Sequence, residues 1–425
     1  MRAHYDVIVV GGGTAGTIAA IQASRAGATT LLVEKNGMLG GTLTVAGINA
    51  PAFFFAWGRQ VIAGIGWELV CKTLAEMGQP APAPDPRGRS RAVIVDRTLF
   101  AALCDETALD AGVDLLFHTM LATVTRREGH WRLGLCTKLG IREVRGKVLI
   151  DATGDANAVA LAGFELVRPE IVQPATLQMR CSGYDPETLD YAALKAASEA
   201  AIAAGDLKTT DIAWDNRGPE RFLRKQGGNA NHFRAHGAEA SEGKSLVEIE
   251  GRRSILRMRR FFRKQPGLES FTIDWISPEA GIRETATIRG KKTMTAQEYE
   301  AGKVYDDALC HAFYPIDEHL NDGKGGHGRG LRPGVLPTIP RGAMLPSGSR
   351  FLIVAGRCVS SDRETNSAVR VECPCMAMGQ AAGAMAALSA QTGVDPEELL
   401  LETLRTLLRE HGALVPGDVK LPASS

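Results

Sequence analysis

The sequence has almost no excess of charge, because 49 basic residues stand against 48 acidic ones among 425, a net charge of +1. Such a balance argues against wholesale electrostatic attraction to nucleic acid or to an anionic membrane. The sequence also lacks any apolar run near the ~18 residues that a membrane-spanning helix needs. We therefore expect no nucleic-acid partner and no stable membrane insertion. With 44% hydrophobic residues, the chain can bury the cores of two or three domains.

We expect neither a leader segment nor a disulfide framework. A buried-strand pattern begins within the first six residues and leaves no room for a secretory signal. The eight cysteines show neither the paired spacing of a zinc site nor the density of a secreted scaffold. We expect a cytoplasmic protein with reduced thiols and no metal centre. Cys373 and Cys375 stay open as a redox pair, since a thiol at a helix N-terminus ionises more readily.

What the sequence does contain is a glycine-rich turn in the setting that a dinucleotide requires. The β-branched run Asp6–Val10 predicts a central parallel strand and leads directly into that turn. A helix follows as far as Gly27, and then a strand, Thr30–Glu34, that ends in an acid able to bind a ribose. The glycines permit a tight turn, close approach to a pyrophosphate and close packing of the helix, whose first amides face the phosphates. The predicted cofactor-binding residues of this unit are Gly11, Gly13, Thr14, Ala15, Gly16 and Glu34.

Later segments resemble the FAD-dependent oxidoreductases, relatives of fumarate reductase flavoproteins that share the glutathione-reductase-like FAD fold. The segment Gly40–Asn49 resembles the Gly-Gly loop that wraps the pyrophosphate in such proteins, which favours FAD over NAD. Lys147–Gly163 contains a similar Ala-Thr-Gly turn. Arg350–Ala390 is similar to the C-terminal FAD segment, in which a helix beginning near Cys375–Met376 points its amides at the flavin. Further similar blocks extend the likeness over most of the chain, at 281–295, 314–319 and 336–346.

The resemblance implies an α/β fold, a Rossmann-type FAD-binding domain with an inserted α+β substrate domain. We place the first part of the FAD-binding domain at 1–163, the inserted domain at 164–340, and the return with a tail helix at 341–425. The implied cofactor is noncovalent FAD, since no covalent-histidine pattern is evident near the Gly-Gly loop. The further cofactor-binding residues that the resemblance implies are Lys35, Gly40, Gly41, Thr42, Ala152, Thr153, Gly154, Asp155, Gly356, Arg357, Met376 and Gly379.

Two features of the flavoprotein disulfide reductases are missing. In those enzymes the Gly-Gly-Thr segment continues with two cysteines that relay electrons, but here the two positions hold Leu43 and Ile48. No second glycine fingerprint for NAD(P)H is found, and the glycine-rich stretch 323–330 follows no buried strand and is expected to be a loop. Electrons are therefore expected to pass directly between the flavin and a bound small molecule.

Candidate catalytic residues should lie in the inserted domain or at its junctions, where a substrate meets the flavin. Arg283 is the candidate clamp for a carboxylate or oxyanion, and Arg341 is a second anion-binding candidate. His319 is the candidate base, with Asp317 to fix its tautomer. The alternatives are an exposed ion pair of Arg283 with Glu284 and a purely structural His319. Rivals for the base are His232, His236, His311 and His327.

Two further helices are predicted outside the cofactor motifs. The tail segment 395–412 carries leucines on one face. The run 251–267 places apolar residues at helical spacing among arginines. It predicts a helix that packs on its own domain, or a site for an anionic substrate or a membrane surface.

Three functions fit these features. The first is an FAD-dependent dehydrogenase or desaturase that takes a hydride from a small polar or anionic substrate and passes electrons to an external acceptor. The second is a flavoenzyme fed by NAD(P)H for monooxygenation or alkene reduction. The third is a flavin-bound subunit that needs a partner to complete the electron path. A homo-oligomer is compatible with each of them.

Overall fold

The computed structural model describes residues 2–85, 87–212, 218–320 and 326–421. In chain order its strands are β1 (His4–Val10), β2 (Thr30–Val33), β3 (Phe55–Ala56), β4 (Arg59–Gln60), β5 (Asp114–Leu116), β6 (Met120–Arg127), β7 (His130–Thr137), β8 (Gly140–Asp151), β9 (Leu166–Val167), β10 (Met179–Ser182), β11 (Gly227–Gly228), β12 (Thr272–Ile276), β13 (Thr287–Ile288), β14 (Ala308–His311), β15 (Ile316–His319), β16 (Gly326–Arg329), β17 (Thr338–Pro340) and β18 (Leu352–Val354).

The helices, in chain order, are α1 (Thr14–Arg25), α2 (Ile65–Glu76), α3 (Arg97–Asp110), α4 (Asn157–Leu161), α5 (Tyr191–Ala204), α6 (Thr209–Ile212), α7 (Glu220–Arg224), α8 (Ser241–Phe262), α9 (Ala296–Glu300), α10 (Arg363–Val369), α11 (Glu372–Thr392) and α12 (Leu401–Glu410). None of these described helices combines the length and the apolar character that crossing a bilayer requires.

A seven-stranded sheet organises the first domain. Its order is β5-β2-β1-β8-β7-β6, and β18 pairs with the end of β8. The strands β5, β2, β1, β8 and β18 run in parallel, whereas β6 and β7 add an antiparallel extension. Both α1 and α11 pack on the parallel part, and β2 is buried at every position. The predicted α/β class with a Rossmann-type sheet is confirmed.

A second hydrophobic core gathers residues between positions 172 and 280. It contains the antiparallel sheet β11-β10-β12 and one side of α8. Ile255, Met258, Phe261 and Phe262 of the run 251–267 lie on that side, so the helix expected there packs on its own domain, and Leu256 is exposed. Apolar residues between 288 and 345 belong to the first core instead, so the second core is narrower than the predicted insertion 164–340.

Two local expectations are wrong. The tail helix expected from residue 395 begins only at Leu401, because the Arg341 guanidinium donates to the carbonyl oxygens of Pro396 and Leu399 and holds that segment outside the helix. The stretch 323–330, expected as a loop, contains β16, which pairs antiparallel with β15. Residues 323–325 of that stretch lie outside the described residues.

Candidate active site

A cavity of about 770 Å³ lies at the carboxyl edge of the parallel strands, where doubly wound sheets bind their ligands. Segments of both hydrophobic cores wall it. The predicted cofactor-binding residues on its wall are Gly11, Gly13, Thr14, Ala15, Glu34, Lys35, Gly41, Thr42, Ala152, Thr153, Gly154, Asp155, Gly356 and Arg357.

The turn between β1 and α1 presents bare backbone to this cavity. Gly11 has a φ of +98°, and a Cβ there would lie 2.5 Å from the Ala152 carbonyl oxygen, so the turn requires glycine. At Gly13 the nearest atom to an added Cβ is the Gly41 Cα, 4.0 Å away. The helix begins at Thr14, so the first unpaired amides of α1 face the same space. Unpaired amides beside open backbone form an anion-binding surface.

Glu34, the residue after β2, is fixed beside that turn. It is 7% exposed, and its carboxylate accepts hydrogen bonds from the amides of Gly12 at 2.6 Å and Asn36 at 2.8 Å. Its neighbour Lys35 forms an ion pair with Glu279, a residue from the segment that follows β12. The acid thus stands on the cavity wall where a ribose hydroxyl would meet it.

The Gly-Gly loop closes over the turn without any sulfur. Gly41 has a φ of +51°, and a Cβ on it would lie 2.6 Å from the Gly13 Cα. Leu43 is fully buried and Ile48 lies on the cavity wall. All eight cysteines are free thiols. The electron relay of the disulfide reductases is therefore absent from this loop.

The side chain of Arg357 connects separate segments of the chain that line the cavity. Its Nε donates to the Gly154 carbonyl oxygen at 2.7 Å, Nη1 donates to the Ile282 carbonyl oxygen at 2.9 Å, and Nη2 pairs with Asp155. Thr285 also donates to the Asp155 carboxylate, at 2.8 Å. Three separate segments are thus held at fixed positions around one part of the wall.

The helix that faces the cavity begins earlier than the sequence suggested. It starts at Glu372 rather than near Cys375–Met376, with Val371 before it. Pro374 lies inside the first turn, where its missing N–H removes no bond, because the first intrahelical bond runs from the Cys375 amide to the Val371 carbonyl. The helix N-terminus still lines the cavity through Val371, Glu372 and Cys375.

The side chains at this helix start are buried. Burial raises the pKa of the Cys373 and Cys375 thiols, which disfavours reactive thiolates. Burial also raises the pKa of Glu372 to about 7. Glu372 is a titratable group on the cavity wall that sequence reasoning missed. An acid in the first turn of a helix usually faces solvent, and only the fold shows its burial.

Four predicted cofactor-binding residues lie behind the wall and not on it: Gly16, Gly40, Met376 and Gly379. A Cβ on Gly16 would lie 1.8 Å from the Gly11 carbonyl oxygen, and one on Gly379 would lie 2.2 Å from the Ala15 carbonyl oxygen. Both glycines therefore serve close helix packing. Met376 is 1% exposed and packs against Gly66, and the Gly40 amide donates to the Gly12 carbonyl oxygen at 2.9 Å.

Another part of the wall carries Arg283, which is 7% exposed. Nη1 donates to the Pro174 carbonyl oxygen at 2.5 Å and to Thr176 Oγ1 at 3.1 Å. Nη2 donates to Asn229 Oδ1 at 3.3 Å and to His232 Nε2 at 3.0 Å. No carboxylate of the described residues accepts a hydrogen bond from this guanidinium. Burial, with a smaller contribution from the charge of Arg370, lowers the pKa of Arg283 to about 9.

Glu284 does not partner Arg283. It is 5% exposed, accepts from the Gln173 amide at 2.5 Å, and forms an ion pair with Arg363 at 3.0 Å. The alternative of an exposed Arg283–Glu284 pair is therefore wrong. The buried positive charge of Arg283 faces the cavity instead, with Arg370 nearby on the same wall.

His319 lies between the Asp317 carboxylate and the His232 ring. Its Nε2 lies 3.2 Å from Asp317 Oδ2, and its Nδ1 lies 3.3 Å from His232 Nε2. Because a guanidinium only donates, His232 Nε2 is the acceptor from Arg283 and cannot carry a proton. The single lone pair of His232 Nε2 is used by Arg283, so the acceptor for the N–H of a neutral His319 is Asp317.

Electrostatics keeps both imidazoles uncharged near neutrality. Burial, and then the charge of Arg283, lowers the pKa of His319, although Asp317 opposes the shift. Burial and Arg283 lower the pKa of His232 well below its usual range. Burial opposes ionisation of Asp317, but its hydrogen bond with His319 and the nearby guanidinium groups lower the pKa of that carboxyl. The arrangement is a neutral His319 beside an ionised Asp317.

The remaining candidates lie elsewhere. Arg341 is not on the cavity wall, and its Nη1 donates to the Leu399 carbonyl oxygen at 2.7 Å. His236 is exposed away from the wall, and His311 is buried in β14, where burial lowers its pKa to about 4. The side chain of His327 lies outside the described residues. Within the described ranges, no group of His, Cys, Asp and Glu could hold a metal ion.

Comparison with known families gives the class. Residues 6–408 match the family model of FAD dependent oxidoreductases. The chain belongs to that family, so it is an FAD-dependent oxidoreductase.

Individual relatives either match only part of this chain or share few identical residues with it. The chain is 28% identical to digeranylgeranylglycerophospholipid reductase 2 of Methanothermobacter thermautotrophicus over 200 residues, which are 44% of this chain and 50% of that protein. It is 53% identical to dihydrolipoyl dehydrogenase of Trypanosoma brucei brucei over 53 residues, 12% of this chain and 11% of that protein. The chain thus spans at most about half the length of these relatives. A solved structure, the geranylgeranyl bacteriochlorophyll reductase-like protein of Thermoplasma acidophilum, has a TM-score of 0.46 at 15% identity, covering 96% of this chain and 83% of that one.

The residues present fit FAD. The cavity volume lies within the range of about 300–1,000 Å³ that ligand sites occupy. Gly13 and Gly41 leave open backbone beside the first amides of α1, as a pyrophosphate requires. Glu34 would supply the acid for a ribose, and the N-terminus of α11 would supply amides beside a second part of the cavity.

Proposed function

We propose that the protein is an FAD-dependent dehydrogenase or desaturase that oxidises a small anionic substrate. FAD, when bound, supplies a hydride acceptor at N5 and passes the electrons on to an external acceptor. The observation that carries the proposal is the buried Arg283 guanidinium without a carboxylate partner, on the same wall as the His319–Asp317 pair. One group binds an anion and the other accepts a proton.

The anion-binding role follows from the buried charge of Arg283, which the carboxylates of Asp317 and Glu284 favour without accepting a hydrogen bond from it. A buried cation is costly unless an anion pairs with it, and its protein partners here are neutral. Arg370 adds a second guanidinium to the wall, and its Nε has no hydrogen-bond partner among the described residues. A carboxylate or phosphate of the substrate supplies the missing acceptor, because guanidinium groups bind such oxyanions in a bidentate manner.

The proton-transfer role follows from the hydrogen bonds of His319. Removal of a hydride from a C–H bond leaves a proton to be taken from the neighbouring atom. A neutral His319 can accept that proton, and the carboxylate of Asp317 stabilises the resulting imidazolium through its hydrogen bond with Nε2. Asp317 therefore positions the ring and compensates its charge.

The test is anaerobic mixing of the FAD-loaded protein with a panel of C–H donors that carry a carboxylate or phosphate, and with their uncharged esters. We expect flavin absorbance to bleach with an anionic donor and not with its ester. Arg283→Gln should weaken the apparent affinity for that donor by roughly 10²-fold or more, the loss of a charge-assisted bidentate pair. The matched control is Arg289→Gln, an exposed arginine outside the cavity. A flavin that stays oxidised with every donor would overturn the proposal.

A second candidate, alkene reduction, is favoured by the names of two curated relatives, both digeranylgeranylglycerophospholipid reductases. The same groups would then act in reverse, with protonated His319 as the acid. Dithionite-reduced protein mixed with an alkene carboxylate separates the candidates. Rapid reoxidation of the flavin by the alkene, with no reduction by the saturated compound, supports the reductase.

A further inference from the structure

The outward side of α8 carries aliphatic side chains that no domain contact uses. Leu246 is 69% exposed, Ile249 41% and Leu256 49%. They share this side with charged residues, because the spacings along it are four, three, four, three and four residues, which keep to one helix face. We call this set the outer face of α8: Glu242, Leu246, Ile249, Arg253, Leu256 and Arg260. It extends for about 27 Å at the helical rise per residue.

Charge is divided unevenly along the same helix. Residues 241–250 contain one basic and three acidic side chains, whereas residues 251–264 contain seven basic and none acidic. The charges of the outer face follow this division, with Glu242 at one end and Arg253 and Arg260 towards the other. These three side chains form no ion pair within the described part of the chain. The helix is therefore acidic at its first end and strongly basic at its second.

The outer face matches the outer face of a second copy of α8 that runs in the opposite direction. Glu242 and Arg260 are equally far from Gly251 in the sequence, as are Leu246 and Leu256. The same holds for Ile249 and Arg253. A two-fold axis through the outer face at the level of Gly251 would thus place Glu242 opposite Arg260, Leu246 opposite Leu256, and Ile249 opposite Arg253. Symmetric contacts of this isologous kind are the commonest arrangement in protein dimers.

We propose that α8 packs antiparallel against α8 of a second copy of this chain, so that the protein forms a two-fold dimer through the outer face. The pairing sets the basic end of each helix against the acidic end of the other and covers the exposed aliphatic residues. A bilayer with anionic lipids would attract the basic end alone and repel Glu242, so a second copy fits the whole face better. One helix pair gives a small interface, so dissociation is expected on dilution.

The experiment is sedimentation velocity of the full-length, FAD-loaded protein over a wide range of concentration. Wild type should form dimers. Arg260→Glu and Glu242→Arg should each weaken the dimer by more than roughly tenfold, since each sets like charges opposite one another. The double variant Glu242→Arg/Arg260→Glu should restore the dimer, because the charges are merely exchanged. Leu256→Asp should weaken it as well.

The controls are Arg127→Glu and Leu139→Asp, exposed positions on β6 and on the β7–β8 turn, which should leave the dimer unchanged. Thermal unfolding of every variant checks that the fold survives. A monomer at all concentrations, or a dimer that ignores both charge reversals, overturns the proposal. The proposal is also overturned if the protein is a monomer that cosediments with phosphatidylglycerol vesicles and if the Glu242→Arg variant cosediments more strongly than wild type. That outcome assigns the face to a membrane.

Discussion

Arg283 Nη2 lies 3.0 Å from His232 Nε2, and that same nitrogen lies 3.3 Å from His319 Nδ1. A permanent positive charge is thus connected through one imidazole to the ring that we propose as the base. The charge opposes protonation of both rings, and the hydrogen bond from Arg283 fixes the proton of His232 on Nδ1. A substitution of Arg283 should therefore change the pKa of His319, and His232 lies between the two side chains.

The first prediction concerns the pH dependence of flavin reduction by substrate. The pKa of His319 lies below its ordinary value of 6.5, so the base is present at neutral pH and is lost as the pH falls. We expect the acid limb of kcat/KM below pH 6.5. In Arg283→Gln it should move to higher pH, because a charge that opposes protonation is gone. In Asp317→Asn it should move to lower pH, because Asp317 favours protonation.

Stopped-flow absorbance across the pH range measures these limbs. The control is His319→Gln, in which the limb should disappear while FAD remains bound. A limb that stays at one pH in the wild type and in both charge variants would assign the titration to another group and remove His319 as the base.

A second prediction concerns stability at Glu372. Its pKa is about 7 in the folded protein against 4.5 for the free side chain, so folding favours its protonated form. The free energy of unfolding is therefore highest below pH 4.5 and falls as the pH rises towards 7. Glu372→Gln cannot ionise, and it should be more stable than wild type at pH 8, by roughly 3 kcal/mol at most. Near pH 4 the two proteins should differ little.

Urea denaturation at both pH values measures this difference. Glu410→Gln, at an exposed position of α12, is the matched control and should show no pH-dependent gain. An equal stability difference between wild type and Glu372→Gln at both pH values would mean that Glu372 ionises freely in the folded protein.

A third prediction concerns the phosphate turn. Gly13→Ala adds a methyl group 4.0 Å from the nearest atom, the Gly41 Cα, at a backbone φ of −69° that alanine adopts readily. The apo protein should unfold at an unchanged temperature. FAD affinity should fall by more than roughly tenfold, since the methyl group occupies the space that a pyrophosphate needs. Flavin fluorescence titration measures the affinity, and Gly330→Ala, in open space, is the control. Unchanged affinity would place the phosphates elsewhere.

The sequence alone predicts the phosphate turn, because the residues that form the turn lie close together in the chain. A strand, three glycines and a helix start follow one another within residues 6–16, and Glu34 ends the next strand. The start of α11 was predicted too late, near Cys375–Met376, because only the resemblance placed it. Pro374 is tolerated in the first turn, since that turn precedes the first intrahelical bond. The tail helix was predicted too long because its first carbonyls are taken by Arg341, a contact over more than 50 residues.

Sequence reasoning paired His319 with Asp317 and identified the other groups of the candidate site singly. Arg283, Asp317 and His319 lie on one wall. The contact of His319 with His232 joins residues that are 87 apart, and no local pattern pairs them. Arg341 was chosen for its place beside a domain return, and its side chain turns to the tail segment instead. Burial explains why Glu372 was missed. An acid at a helix start has an ordinary pKa when it is solvated, whereas burial raises the pKa of Glu372 to about 7.

The last prediction concerns Cys373 and Cys375, whose spacing left a redox role open. Both thiols are buried and their pKa values are raised, so they should resist a thiol reagent in the native protein while exposed Cys136 reacts. Peptide mapping of the labelled protein before and after unfolding measures this order. The variant Cys373→Ala/Cys375→Ala should bind FAD and show the same rate of flavin reduction as wild type. A loss of flavin reduction with FAD still bound would restore the pair as an electron carrier, because a packing defect alone would lower stability and leave the reaction intact.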